Sequence, residues 1–254
     1  MRKLGDRVAV RGFPGADPTV DVIVPVEAQG SRVLCKRHNE ALSPLDHRAG
    51  KMLERLLPAT QYISKRRFGA ALASRWVFMD GPRLEAWSAK VLAGTHAAGL
   101  NRRAGVKLDY SLNYSKVRAV IERGELEEGA GMYVLANIRP NEHGLQHTLH
   151  NNPALGAVVG IHINLAFFSF MFVLDAQRFD FDFISSQPHT YRPSVHRLYG
   201  PGGDAKLFFA WKRRPDFKQT SQGRVFWSPT GSSSAAPNFE LLSGPPEIDD
   251  RTKR

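Results

Sequence analysis

The stretch ALGAVVGIHINLAFFSFMFVL, residues 154 to 174, carries no charged side chain and constrains the fold more than any other part of the chain. Its length would let a helix cross a bilayer, but His162 and Asn164 sit at its middle. Its β-branched and aromatic content favours strands, so we read it as two buried strands and expect no membrane span. A chain of 254 residues can bury a sizeable core around such strands. With hydrophobic residues at 42%, the composition is that of a folded protein and not a disordered one.

The rest of the chain divides by pattern. RVAV and TVDVIVPVE read as strands separated by a Gly/Pro turn, and AQGS leads into RVLC as a hairpin. A helix should follow, with Ser43 as cap, Pro44 at its first position, Asp46 in the capping box and Pro58 as its stop. A second helix is expected from Pro82 to about Ala98, with Asp80 or Gly81 near its start. A third starts near Ser115, turns Val117, Val120 and Ile121 inward, and ends before Gly124. Beyond about residue 130 the character changes to strands: MYVLANI, AVVGIHINL, FFSFMFVLD, RFDFDFI, KLFFAW and RVFW. The expected fold is α+β: a ββα-like segment over 1–58 and a larger α+β domain over 59–227, followed by a flexible tail over 228–254. Within it a helical middle leads to a C-terminal antiparallel sheet.

The formal charge of +11 and a pI near 10 suggest a polyanionic partner such as DNA or RNA. The cations are spread in short clusters at 36–38, 64–68, 101–103 and 211–218, a distribution that also suits an ordinary solvated surface. FFAWKRRPDFK mixes aromatics with Arg and Lys, a combination able to stack bases and grip phosphates, or simply a strand ending in a basic turn. The single cysteine excludes an internal disulfide framework and fits a reducing, cytoplasmic setting; MRKLGDRVAV has no apolar core of signal-peptide length.

That cysteine, Cys35, stands three residues before His38 in VLCKRHNEALSPLDH. A thiolate and an imidazole at this spacing on a tight loop make half of a tetrahedral zinc site, or else a buried thiol beside a surface histidine. RVLCKRHNEALSPLD resembles the second half of the HNH endonuclease-like motif, and DGPRLEAWSAKVLAG over 80–94 is similar to a helix that follows it in such proteins. The resemblance implies a ββα unit holding one divalent metal against a scissile phosphate, with a histidine as general base. It assigns Cys35 and His38 to a zinc-binding knuckle, Asn39 to the motif asparagine, and His47 to the final metal ligand. The first knuckle and the general-base histidine have no match. In VDVIVPV, Asp21 and Pro25 fit but Val22 stands where the base would be, so either hydrolysis by this mechanism is lost or the first half-motif lies upstream of Met1.

Other motifs carry less. His143, His147 and His150 would share one face of a helix and reach a metal, although Gly144 and the following Asn and Pro residues favour a polar loop. YGPGGD reads as a hairpin turn rather than a phosphate loop. On an alternating strand, Asp180 and Asp182 would lie about 7 Å apart on one face. Three functions follow as expectations: an HNH-like protein with an incomplete site and no nuclease activity from this chain alone, a non-catalytic nucleic-acid-binding protein, or a protein-interaction domain.

Overall fold

A computed structural model describes residues 7–11, 21–25, 36–64, 73–99, 102–103, 106–138, 145–165, 168–185, 189–200, 202–211 and 220–225. Strands β1 (Arg7–Arg11) and β2 (Asp21–Pro25) pair as an antiparallel hairpin, followed by helix α1 (Lys36–Ser64). Next come β3 (Ala73–Asp80), α2 (Gly81–Ala97), the short hairpin of β4 (Arg102–Arg103) and β5 (Val106–Lys107), β6 (Ser111–Leu112) and α3 (Tyr114–Arg123). The chain continues through β7 (Gly131–Leu135), β8 (Asn137–Ile138), β9 (Leu145–Asn152), β10 (Ala157–Leu165) and β11 (Phe168–Val173). A one-turn helix α4 (Asp182–Ser185) precedes β12 (His189–Tyr191), β13 (Val195–Gly200), β14 (Gly203–Ala210) and β15 (Thr220–Val225).

The apolar run 154–174 forms β10 and β11, paired antiparallel with Ile161 opposite Phe172 and Ile163 opposite Phe170. These strands lie in a sheet ordered β12-β7-β11-β10-β6, with β9 on the other edge of β10. Alternation divides their side chains. Ile161, Ile163, Phe168, Phe170 and Phe172 enter the main core with Leu56 and Ile63 of α1, Leu84 and Leu92 of α2, and Val117 and Val120 of α3. Met171 and Val173 face the other way, under Phe179 and Ile184, and the bulge between Val158 and Gly160 turns Val159 to that side as well. His162 and Asn164 project to that second side, where cover is thinner; His162 Nε2 lies 2.8 Å from the Ser169 hydroxyl. Among the described residues no helix is long and apolar enough to cross a membrane.

The second sheet is ordered β3-β14-β13-β15-β8 and corrects the expected C-terminal antiparallel sheet. The β13–β14 hairpin turns at YGPGGD as anticipated, with Gly200 opposite Gly203, but β3 joins β14, β15 joins β13 and β8 joins β15, all in parallel. Hydrophobic alternation sets which face of a strand is buried and is silent on strand direction. The protein is thus a mixed α and β structure with two mixed sheets, consistent with α+β.

Three local readings also change. Helix α1 does not begin at Ser43 or stop at Pro58; it runs through Pro44 and Pro58. Leu56, Ala59, Tyr62 and Ile63 are buried on both sides of Pro58, and this packing offsets the missing backbone bond. RFDFDFI is not a strand. Asp180 Oδ1 accepts from the Asp182 amide at 3.0 Å, a local bond that competes with a sheet ladder, and α4 begins there. HTLH is strand β9, so His147 and His150, three residues apart, lie on opposite faces and form no helical triad; His143 lies outside the described residues. The AQGS–RVLC hairpin and the tail beyond residue 227 also lie outside them.

Helices α2 and α3 follow their signals closely. Asp80 caps α2, its carboxylate accepting from the Arg83 amide at 3.2 Å, and Pro82 occupies the first turn. Asn113 caps α3 and Gly124 ends it in the left-handed region at φ 66°.

Candidate nucleic-acid interface

The five-stranded sheet has two unlike faces. Val77 and Met79 of β3, Leu207 and Phe209 of β14, and His196 and Leu198 of β13 are buried against the helices. On the opposite face the register sets three rows. Ser74, Asp204 and Tyr199 form one; Trp76, Lys206 and Arg197 the next; Phe78, Phe208 and Val195 the third.

This face holds the two most exposed large aromatics among the described residues, Trp76 at 64% and Phe78 at 65%. Both sit on edge strand β3, and both touch Phe208. Phe78 stacks on it with centroids 5.2 Å apart and planes at 21°, while Trp76 meets it edge-on at 5.8 Å. The indole is also tethered: Trp76 Nε1 donates to Ser74 Oγ at 3.3 Å, and that hydroxyl donates to Asp204 Oδ2 at 3.0 Å. Exposed aromatic surface costs free energy in water, and a ring held by a hydrogen-bond chain is arranged to receive a planar partner.

Beside these rings lie two cations. Lys206 and Arg197 are direct cross-strand neighbours, an unfavourable arrangement for like charges. Neither forms an ion pair among the described residues, and Arg197 Nε is buried without a hydrogen-bond partner there. The face thus offers π surfaces for stacking and unneutralised positive charge for an anion.

Behind it the sheet is fixed by buried polar groups. His196 is fully buried beside Phe168, and desolvation pulls its imidazole down to about 3 from the ordinary 6.5, leaving it neutral at pH 7. Glu85 on α2 is 4% exposed. It takes a bidentate grip from Arg192, Nε to Oε1 at 2.8 Å and the guanidinium terminus to Oε2 at 3.0 Å, and accepts the Met132 amide at 2.9 Å. Burial pushes the carboxyl upward, against the guanidinium and the amide, which both favour its charged form. Arg192 lies over the rings of Tyr191 and Trp211, at 5.2 and 5.5 Å from their centroids, and adopts φ 40°, rare for a side chain of its size. At Gly131, φ 138°, an added Cβ would come within 2.8 Å of Glu85 Oε1. Tyr133, next to Tyr191, is pushed up to about 12 by burial. This cluster ties α2 to β7, β12 and the end of β14.

Two other polar sites are internally satisfied. In a cleft of about 580 Å³, His96 Nε2 lies 2.7 Å from the Tyr110 carbonyl and must donate to it, so Nδ1 accepts from the Tyr114 hydroxyl at 3.0 Å. Both ring nitrogens are committed. Lys116 bridges Glu127 at 2.7 Å and Asp175 at 2.9 Å beneath the end of α3.

The residues singled out in the sequence are placed as follows. Cys35 lies outside the described residues; His38 and Asn39 fall in the first turn of α1, not on a loop; His47 is exposed further along it. Positions 38 and 47, nine residues apart on one helix, are separated by about 13 Å of rise and half a turn. Among the described residues no three His, Cys, Asp or Glu side chains group as a metal site. Trp76, Phe78, Glu85 and Arg192 were not singled out; the alternating run RWVFM before Asp80 was the available signal for the first two. No family model, curated protein or solved structure matches the chain.

Proposed function

We propose that this protein is a non-catalytic binder of single-stranded nucleic acid, using the face of the five-stranded sheet that carries Trp76, Phe78, Phe208, Lys206 and Arg197. The observation that carries the reading is the combination, on one face, of tethered exposed aromatics and two cations that form no ion pair among the described residues. Stacking tolerates any base because each has a π face, and it requires bases freed from pairing, which favours single strands over duplex. The net charge of +11 supports a polyanionic ligand, and the single cysteine suits the cytoplasm, where such ligands are abundant.

Fluorescence anisotropy with a labelled heptanucleotide tests this. Trp76→Ala is expected to weaken binding about tenfold or more, the worth of one stacked base. Lys206→Gln should weaken all sequences alike and reduce the slope of log K against log salt by about 0.7, one phosphate contact. Unchanged affinity for Trp76→Ala would rule the reading out.

A second reading keeps the endonuclease-like resemblance, favoured by the ββα order of β1, β2 and α1. In it Cys35 and His38 bind zinc or another divalent ion, Asn39 and His47 serve the motif's catalytic roles, and ligands from elsewhere complete the centre. Elemental analysis of the purified chain tests it: stoichiometric zinc lost in Cys35→Ala supports it, and protein that stays metal-free in a saturating zinc buffer discards it.

A further inference from the structure

Resting on the single-strand reading above, we infer that the base seated at Trp76 is selected as guanine by the carboxylate of Asp204. Asp204 opens the row beside Trp76 and stands two hydrogen bonds from the indole nitrogen, through Ser74 Oγ. One of its oxygens, Oδ2, accepts from Ser74; the other, Oδ1, has no hydrogen bond among the described residues. The Ser74 bond also orients the carboxylate, so it lies fixed at the edge of the stacking surface.

A carboxylate accepts and does not donate. The bases differ in what they present to such a group on the Watson–Crick edge. Guanine offers two adjacent donors, N1–H and the N2 amino group, matching two oxygens. Adenine and cytosine each offer an amino donor beside a bare ring acceptor. Uracil and thymine offer one N–H flanked by two carbonyls, which a negative oxygen repels. A charged oxygen is the strong form of hydrogen-bond acceptor, and a bidentate base contact discriminates by at least about tenfold. Lys206 and Arg197 share the row of Trp76, so positive charge for a flanking phosphate stands beside a base seated there. The two rows divide the work: one holds the backbone and the other reads the base.

The experiment uses the full chain and uridine heptamers that carry one central guanine, adenine, cytosine or uracil, read by competition anisotropy. The guanine oligomer should bind at least about tenfold tighter than all-uridine, with adenine and cytosine between them. In Asp204→Asn the side chain can still accept from Ser74 and hold Trp76, but it presents an amide of mixed polarity. The guanine-to-uracil ratio should then fall below about threefold. Equal wild-type affinity for the four oligomers overturns the inference and leaves the single-strand reading standing. A guanine preference that survives Asp204→Asn overturns it as well. Absence of binding to any of the four overturns the single-strand reading itself.

Discussion

Glu85→Ala is expected to lower the free energy of unfolding by about 3–5 kcal/mol, measured from urea denaturation curves against wild type. The size follows from what the substitution leaves behind. Arg192 would retain its charge in a site where Glu85 supplies both guanidinium contacts, and the Met132 amide would lose its acceptor. An uncompensated charge in a mostly buried site costs a few kcal/mol even with Arg192 29% exposed, and an orphaned amide adds to that. The strained φ of Arg192 is tolerated because the pair over-determines it, so losing the pair also removes the reason for the strain. Glu85→Gln keeps the shape and an acceptor and should cost less. Arg118→Ala, which breaks an exposed pair with Glu122, should cost under about 0.5 kcal/mol. A loss below about 1 kcal/mol for Glu85→Ala would mean that the site relaxes and admits water. Since whole domains are stable by only about 5–15 kcal/mol, the expected loss is severe.

Stability should also fall steeply in mild acid. Below pH 6.5 the unfolded chain protonates the His196 imidazole, whereas the folded chain holds it neutral down to about pH 3. The unfolded state therefore binds more protons throughout that window, and stability drops as the pH falls. His196 alone contributes a loss of about 2 kcal/mol between pH 7.5 and 5, above the range where most carboxylates titrate. Burial lowers His150 and His162 as well, so their contributions have the same sign. Urea curves at pH 7.5, 6 and 5 would measure the wild-type slope, and His196→Met should flatten it by up to one proton. A wild-type stability constant from pH 7.5 to 5 would exclude desolvated neutral imidazoles.

How much of this was readable beforehand varied with the range of the interactions. Strand β10 occupies the residues expected from AVVGIHINL, and α2 and α3 begin and end at the residues their caps indicate. Those features are decided by neighbours a few positions away. Helix α1 defied its prolines because its stability comes from burial of Leu56, Tyr62 and Ile63 in the distant core. The Phe-Asp alternation misled because aspartate turns its own backbone as readily as it lines a strand. Glu85 and Arg192 are 107 residues apart in the chain, and no local pattern couples them. The candidate interface is half legible: KLFFAW reads as a strand, and that strand carries Lys206 and Phe208. Its aromatic half lies on β3, which enters from the middle of the chain and aligns in parallel, a pairing that alternation cannot encode.

Strand β3 ends at Asp80 and helix α2 begins at Gly81, with no connecting residue. The strand bearing Trp76 and Phe78 is thereby continuous with the helix that Glu85 anchors. There is no hinge between them, and little backbone freedom to lose when a ligand arrives. For a strand of bases captured there, the ordering entropy would fall almost wholly on the nucleic acid. Stiffer, pre-stacked strands would then be taken up at a smaller entropic penalty than flexible ones, a bias set by the ligand's own conformational freedom and not by any rearrangement of the protein.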